Sequence, residues 1–127
     1  MKKFSYVRKI IEEGLRADGR AFDEFRKIKI KKGLIKNSEG SAMVELGNTM
    51  VLAGVKMELK EPYPDTPNEG TLVVDVELVP MASPTFEPGP PNEQAVEIAR
   101  VVDRGIRESH SIDMEKLCVK EEKFVWT

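Results

Sequence analysis

Glu39-Gly40-Ser41-Ala42-Met43-Val44-Glu45-Leu46-Gly47-Asn48-Thr49-Met50-Val51-Leu52-Ala53-Gly54-Val55 is the stretch whose reading decides the fold. Two apolar-rich runs meet at Gly47-Asn48, a pair suited to a two-residue hairpin turn. The pattern predicts one strand over Ser41–Leu46 and another from Thr49 to about Leu59. In the second, Val51, Ala53, Val55, Met57 and Leu59 share a face. On the other face Met50 and Leu52 give way to Lys56 and Glu58, so the strand is expected to leave the core toward its end.

N-terminal to the hairpin, Asn37-Ser38-Glu39-Gly40 reads as a loop. Before it, from Phe25, the period is also two. Ile28, Ile30 and Leu34 face one way and Lys27, Lys29 and Lys31 the other, a half-exposed strand whose lysines discourage edge pairing. Arg16-Ala17-Asp18-Gly19-Arg20 reads as a turn. Phe4–Leu15 reads as a short amphipathic helix, with Val7, Ile10, Ile11 and Leu15 at helical spacing, Ser5 as a cap and Gly14 near the end.

C-terminal to the hairpin, Pro62, Pro64 and Pro67 make Glu61–Gly70 a loop. Leu72, Val74, Val76 and Leu78 alternate with Asp75 and Glu77, which predicts a fourth strand. Pro80–Pro91 is a second proline-rich crossing. Asn92 is the expected N-cap of the longest helix, running to about Ser109, with Glu93 suited to its dipole and Ala95, Val96, Ala99, Val102 and Ile106 as its buried stripe. A short turn at Ser111-Ile112-Asp113 and strands at Lys116–Val119 and Phe124–Thr127 follow. Four clear strands and one late helix leave a sheet face thinly covered, and the last residues read as the start of a strand. The expectation is therefore the N-terminal part, residues 1–127, of a single α+β domain incomplete at its C-terminus.

Composition narrows the function. The 127 residues are 40% hydrophobic and 33% charged with a net charge of -2, a globular composition. Residues 1–60 carry 14 Lys/Arg against 8 Asp/Glu, and residues 61–127 carry 6 against 14. A uniformly basic nucleic-acid binder would look different, so any nucleic-acid contact rests on a few placed arginines or on a neighbouring subunit. The absence of a long apolar run or secretory leader points to no membrane and a cytoplasmic location.

Most catalytic schemes fail on residue supply. His110 is the single histidine and reads as a helix-end residue; Cys118, the single cysteine, sits beside Leu117 and Val119 and reads as a buried thiol. Neither a multi-histidine metal site nor a nucleophile triad can be built from them. Asp75 and Glu77 share a strand face and could hold magnesium beside a phosphate, but the wet face of a strand is the stronger reading. Arg100, Arg104 and Arg107 lie along one helical stripe, where guanidinium forks match phosphate oxygens. Intrahelical partners compete: Glu97 for Arg100, Asp103 for Arg107 and Glu108 for Arg104. On the residues alone ordinary pairing is the stronger reading.

Arg16-Ala17-Asp18-Gly19-Arg20, Glu39-Gly40-Ser41-Ala42, Leu46-Gly47-Asn48-Thr49 and Pro64-Asp65-Thr66-Pro67-Asn68 together resemble the RNase PH family. Phe86-Glu87-Pro88-Gly89-Pro90-Pro91, followed by Ala99-Arg100-Val101-Val102-Asp103-Arg104-Gly105-Ile106-Arg107, resembles in particular the non-catalytic ring subunits of the archaeal exosome. The resemblance implies the RNase PH fold of the ribosomal protein S5 domain 2-like type, a mixed sheet packed against helices. It implies pairing with a catalytic RNase PH-like subunit, three such heterodimers forming a ring, with RNA-binding cap subunits and RNA as further partners. That ring degrades RNA from the 3′ end with inorganic phosphate. Catalytic members carry a basic pair just before the long helix; here Pro91-Asn92-Glu93-Gln94 has no arginine and one acid. No cofactor is then expected on this chain, inorganic phosphate and magnesium belonging to the partner's site, and no catalytic residue. The resemblance favours Arg100 and Arg104, with Arg107 as a third, as the RNA-binding residues. A self-sufficient phosphorolytic exoribonuclease, a purely structural ring spacer and a stand-alone RNA-binding module are the competing expectations.

Overall fold

The hairpin forms as its sequence requires. Strands β1 (Ile28–Lys32), β2 (Gly40–Leu46) and β3 (Thr49–Val55) make an antiparallel sheet in the order β1-β2-β3. At the turn, Gly47 has φ 61, while Asn48 is not among the positive-φ residues. That places the glycine at the first central position, the geometry of a type II′ hairpin. These strands belong to the computed structural model of the chain, which describes residues 2–81, 89–119 and 124–127. The chain divides into two compact units, Met1–Lys56 and Met57–Thr127.

In the first unit, register pairs Ile28 with Leu46, Ile30 with Val44 and Val44 with Val51. Directly paired residues share a face, so one side of the sheet is aliphatic and the other carries Lys29, Lys31, Glu45, Met50 and Leu52. β2, flanked on both sides, is half-buried, whereas β1 and β3 are exposed. Helix α1 (Lys2–Glu12) is shorter than the expected Phe4–Leu15 at its C-terminal end. Gly14, at φ 77, donates to Ile11 O and Leu15 to Ile10 O, the Schellman arrangement that closes a helix on a left-handed glycine.

The second unit holds a small antiparallel sheet in the order β4 (Leu59–Lys60), β6 (Phe124–Trp126), β5 (Cys118–Val119), with helix α2 (Glu93–Glu108) and a 3-10 turn at Met114–Leu117. Among the described residues, Ala95, Ala99 and Val125 are its buried apolar side chains. All pairings among the described residues are antiparallel, so the mixed sheet expected from the sequence is here two antiparallel sheets within an α+β fold.

Four further expectations are corrected. The strand from Thr49 stops at Val55, because β2 ends at Gly40; Glu39 N–H takes the Val55 carbonyl, and Leu59–Lys60 pairs instead with β6. Leu72–Leu78 forms no ladder among the described residues. Leu72, Val74, Val76 and Leu78 are half-buried and Val73, Asp75, Glu77 and Val79 exposed, so the alternation is real, but no described strand pairs with it. The buried stripe of α2 is narrower than expected: Val96 and Val102 are exposed. Cys118 is half-buried, not buried. The Pro80–Pro91 crossing lies largely outside the described residues. No helix among the described residues is long and apolar enough to cross a membrane.

Candidate nucleic-acid interface

Helix α2 positions the three arginines. It starts at Asn92, whose backbone is extended (ψ 171) and whose side-chain oxygen accepts from Ala95 N–H at 2.9 Å. It ends at Ser109, followed by His110 at φ 51, a left-handed conformation that histidine tolerates better than most residues. His110 is therefore a helix-end residue by geometry. Between these ends Ala95 and Ala99 are buried and Asp103 and Ile106 half-buried, which fixes the inward line of the helix.

Arg100 and Arg104 are both exposed. Four residues apart, their Cα atoms rise about 6 Å along the axis, so the two side chains are neighbours. Of the three competing intrahelical pairs, one forms among the described residues: Arg107 Nε donates to Asp103 Oδ1 at 2.5 Å and its Nη2 to Oδ2 at 3.2 Å. Neither Arg100 nor Arg104 takes part in an ion pair with a described residue. A guanidinium one turn from another raises the local potential, and no described carboxylate pairs directly with either.

Arg107 is committed elsewhere. Besides Asp103, its Nη2 donates to the Leu72 carbonyl at 2.8 Å, tying the extended segment to the end of the helix. The hydrogen bonds from Arg107 hold the Asp103 carboxyl below the ordinary carboxylate range, outweighing the opposing desolvation, and Asp103 in turn raises the Arg107 guanidinium. Leu72 could not be found from sequence as the anchor, because a backbone acceptor leaves no mark in residue type. Gly70, buried, donates to Met114 O at 2.8 Å, so the N-terminal end of the same segment is fastened twice.

The turn at Arg16–Arg20 is a second charged constellation. Arg20 Nε donates to Asp18 Oδ2 at 2.7 Å and its Nη1 to Glu24 O at 2.8 Å; Arg16 donates to Phe22 O. Asp18 is lowered by its hydrogen bond to Arg20. Asp75 and Glu77 are exposed, and Asp75 Oδ1 accepts from Val76 N–H at 3.0 Å. Among the described residues no three His, Cys, Asp or Glu side chains gather as a metal site.

Comparison with known proteins agrees with the fold. The family model for the 3′ exoribonuclease family, domain 1, matches residues 24–127. The exosome complex component Rrp42 of Archaeoglobus fulgidus is 56% identical over 124 residues, 98% of this chain and 48% of that protein. The Rrp42 of Methanopyrus kandleri is 58% identical over 116 residues, 91% of this chain and 43% of that protein. Among solved structures, the Archaeoglobus fulgidus exosome with RNA bound to the active site superposes at a TM-score of 0.87 with 56% identity, over 96% of this chain and 48% of its counterpart. An archaeal exosome core gives 0.79 at 48% identity, over 96% and 45%. The chain thus spans about half the length of the curated relatives it matches. With the match running through both sheets and α2, at an identity far above what fold likeness alone would need, the chain belongs to the RNase PH family.

Proposed function

We propose that this chain is part of a ring subunit of an archaeal-type exosome that has no phosphorolytic site of its own and lends Arg100 and Arg104 to RNA held at a catalytic RNase PH-like partner. The observation that carries this reading is the inequality among the three arginines. Arg107 is spent on Asp103 and Leu72, while Arg100 and Arg104 stand exposed and free of ion pairs with described residues. Two forks one turn apart suit successive phosphates of a single strand, positioning the backbone without reading bases.

The start of α2 supports the non-catalytic half of the proposal. A free helix N-terminus is an anion site, because its N–H groups and dipole point at the ligand. Here the Asn92 side chain already occupies the Ala95 N–H, and Glu93 puts a carboxylate in the first turn. An incoming phosphate would meet a filled donor and a like charge. Inorganic phosphate and magnesium are accordingly assigned to the partner's site, with RNA-binding cap subunits as further neighbours and the cytoplasm as the location.

The test is Arg100→Glu with Arg104→Glu in the full-length subunit, assembled with its catalytic partner. The ring is expected to assemble normally, with phosphate-dependent shortening of RNA from the 3′ end slowed. Wild-type decay by a ring carrying both reversals would reduce this subunit to a spacer. Shortening of RNA by the purified subunit alone, given orthophosphate, would overturn the non-catalytic assignment.

A further inference from the structure

Lys27, Lys29 and Lys31 make a row of cations along β1. Gly47 N–H donates to Lys27 O at 3.0 Å, which carries the ladder one residue past β1. The three lysines therefore alternate with Ile28 and Ile30 on one face, along an edge of the sheet, over about 13 Å. Only Lys29 meets a carboxylate, Glu45, at a loose 3.8 Å; Lys27 and Lys31 take part in no ion pair with a described residue. Like charges two residues apart on an extended chain repel, and a polyanion laid along them relieves it. The charge of the unit agrees: Met1–Lys56 carries 13 Lys/Arg against 7 Asp/Glu, inside a chain whose net charge is -2.

A solvated lysine edge would need nothing else, but aromatic surface adjoins this one. Phe25, two residues before Lys27, is 83% exposed and Phe22 is 52% exposed. Both rings line an open cleft of about 370 Å³ together with Arg16, Arg20 and Arg26 and with Asp23 and Glu24; Arg20 is paired with Asp18, which leaves two cations facing two carboxylates. Charge balance of that kind gives phosphate no reason to enter the cleft, and leaves flat apolar surface for an uncharged planar group. Arg26 is held in place by Thr49, its Nη1 lying 3.3 Å from Oγ1. A row of cations leading away from exposed rings is the arrangement by which single strands are bound without sequence preference: phosphates on the charges, bases on the rings.

We propose that the Lys27, Lys29 and Lys31 face and the cleft of Phe22 and Phe25 form a second contact for single-stranded RNA, with a base stacked on phenylalanine and the following phosphates on the lysines. The choice of RNA rests on the function proposed above; the contact itself does not depend on Arg100 or Arg104.

The test uses the whole chain and a fluorescein-labelled oligouridylate of about ten nucleotides, within the range of known single-strand sites. Anisotropy is followed through a salt series. Lys27→Gln/Lys29→Gln/Lys31→Gln is expected to reduce the slope of log K against log salt by about 2, at about 0.7 per phosphate on a single strand, while the triple arginine variant keeps it. Phe25→Ala is expected to weaken RNA binding roughly 5- to 100-fold at unchanged slope, and to leave inorganic polyphosphate binding as it was. An unaltered slope in the triple glutamine variant, with a native circular dichroism spectrum, overturns the lysine row. Wild-type RNA affinity in Phe25→Ala, or an equal loss for polyphosphate, overturns the base contact. Repeating the lysine substitutions on an Arg100→Glu/Arg104→Glu background separates the two proposals. The lysine increment must persist there, and an effect confined to either set of residues refutes the other set alone.

Discussion

The three arginines of α2 look equivalent in sequence, so replacing them singly by glutamine in the assembled complex is the sharpest check on how the site works. Arg100 and Arg104 are exposed without a described carboxylate partner, whereas Arg107 donates from Nε and Nη2 to Asp103 and from Nη2 also to the Leu72 carbonyl. Each guanidinium that neutralises a phosphate on a single strand contributes about 0.7 to the slope of log K against log salt. Arg100→Gln and Arg104→Gln should each lower that slope by about 0.7 and the pair by about 1.4, whereas Arg107→Gln should leave it unchanged. Over a fourfold rise in salt, one phosphate contact corresponds to about 2.6-fold in affinity, two to about 7-fold and three to about 18-fold, differences that anisotropy titrations resolve. Arg107→Gln should instead show itself in limited proteolysis, as faster cleavage within residues 72–79 once the tie to Leu72 is gone. A slope loss in Arg107→Gln equal to that in Arg100→Gln would refute the division of labour drawn from the hydrogen bonds.

Two further outcomes follow from the same helix. Asn92→Ala removes the acceptor that Ala95 N–H uses and should cost about 1 kcal/mol, lowering the thermal midpoint by a few degrees, whereas Asn92→Asp should keep the cap. For Asp103, the folded-state pKa is depressed by Arg107, so its contribution to stability is fully present above the unfolded value near 3.8 and is lost as pH falls through the lower folded value. Denaturation followed below about pH 4 should therefore show a steeper loss in the wild type than in Asp103→Asn, and identical acid limbs would count against the pair.

Much of the fold is visible in the residues because it is set by local chemistry. Gly47-Asn48 dictates the hairpin, Gly14 closes α1 and Asn92 opens α2; each acts through its own backbone or a neighbour three residues away. What the chain alone conceals is pairing. Leu72–Leu78 has the alternation of a strand and keeps its apolar side half-buried, yet a ladder needs a second chain segment, and period-two pattern carries no information about one. The same ignorance extended the strand from Thr49 past Val55: Met57 and Leu59 continue the alternation perfectly well, and the break comes from β2 having no residues left to offer.

The site follows the same logic with charge in place of backbone. Spacing alone assigns Arg100, Arg104 and Arg107 to one stripe and offers each a carboxylate three or four residues off. Such pairs are individually weak at an exposed helix surface, so which of them forms is decided by what else can hold the side chain. For Arg107 the deciding group is a carbonyl 35 residues away, which fixes the guanidinium where Asp103 can chelate it. Arg100 and Arg104 have no such third party among the described residues, and their pairs with Glu97 and Glu108 do not form. The resemblance to RNase PH proteins singles out the first two arginines for a reason that the helical period cannot supply. On the function proposed above, the hydrogen bonds favour the same two: an arginine that ties its own chain together has its donors engaged, and the two without a described partner keep theirs for a ligand.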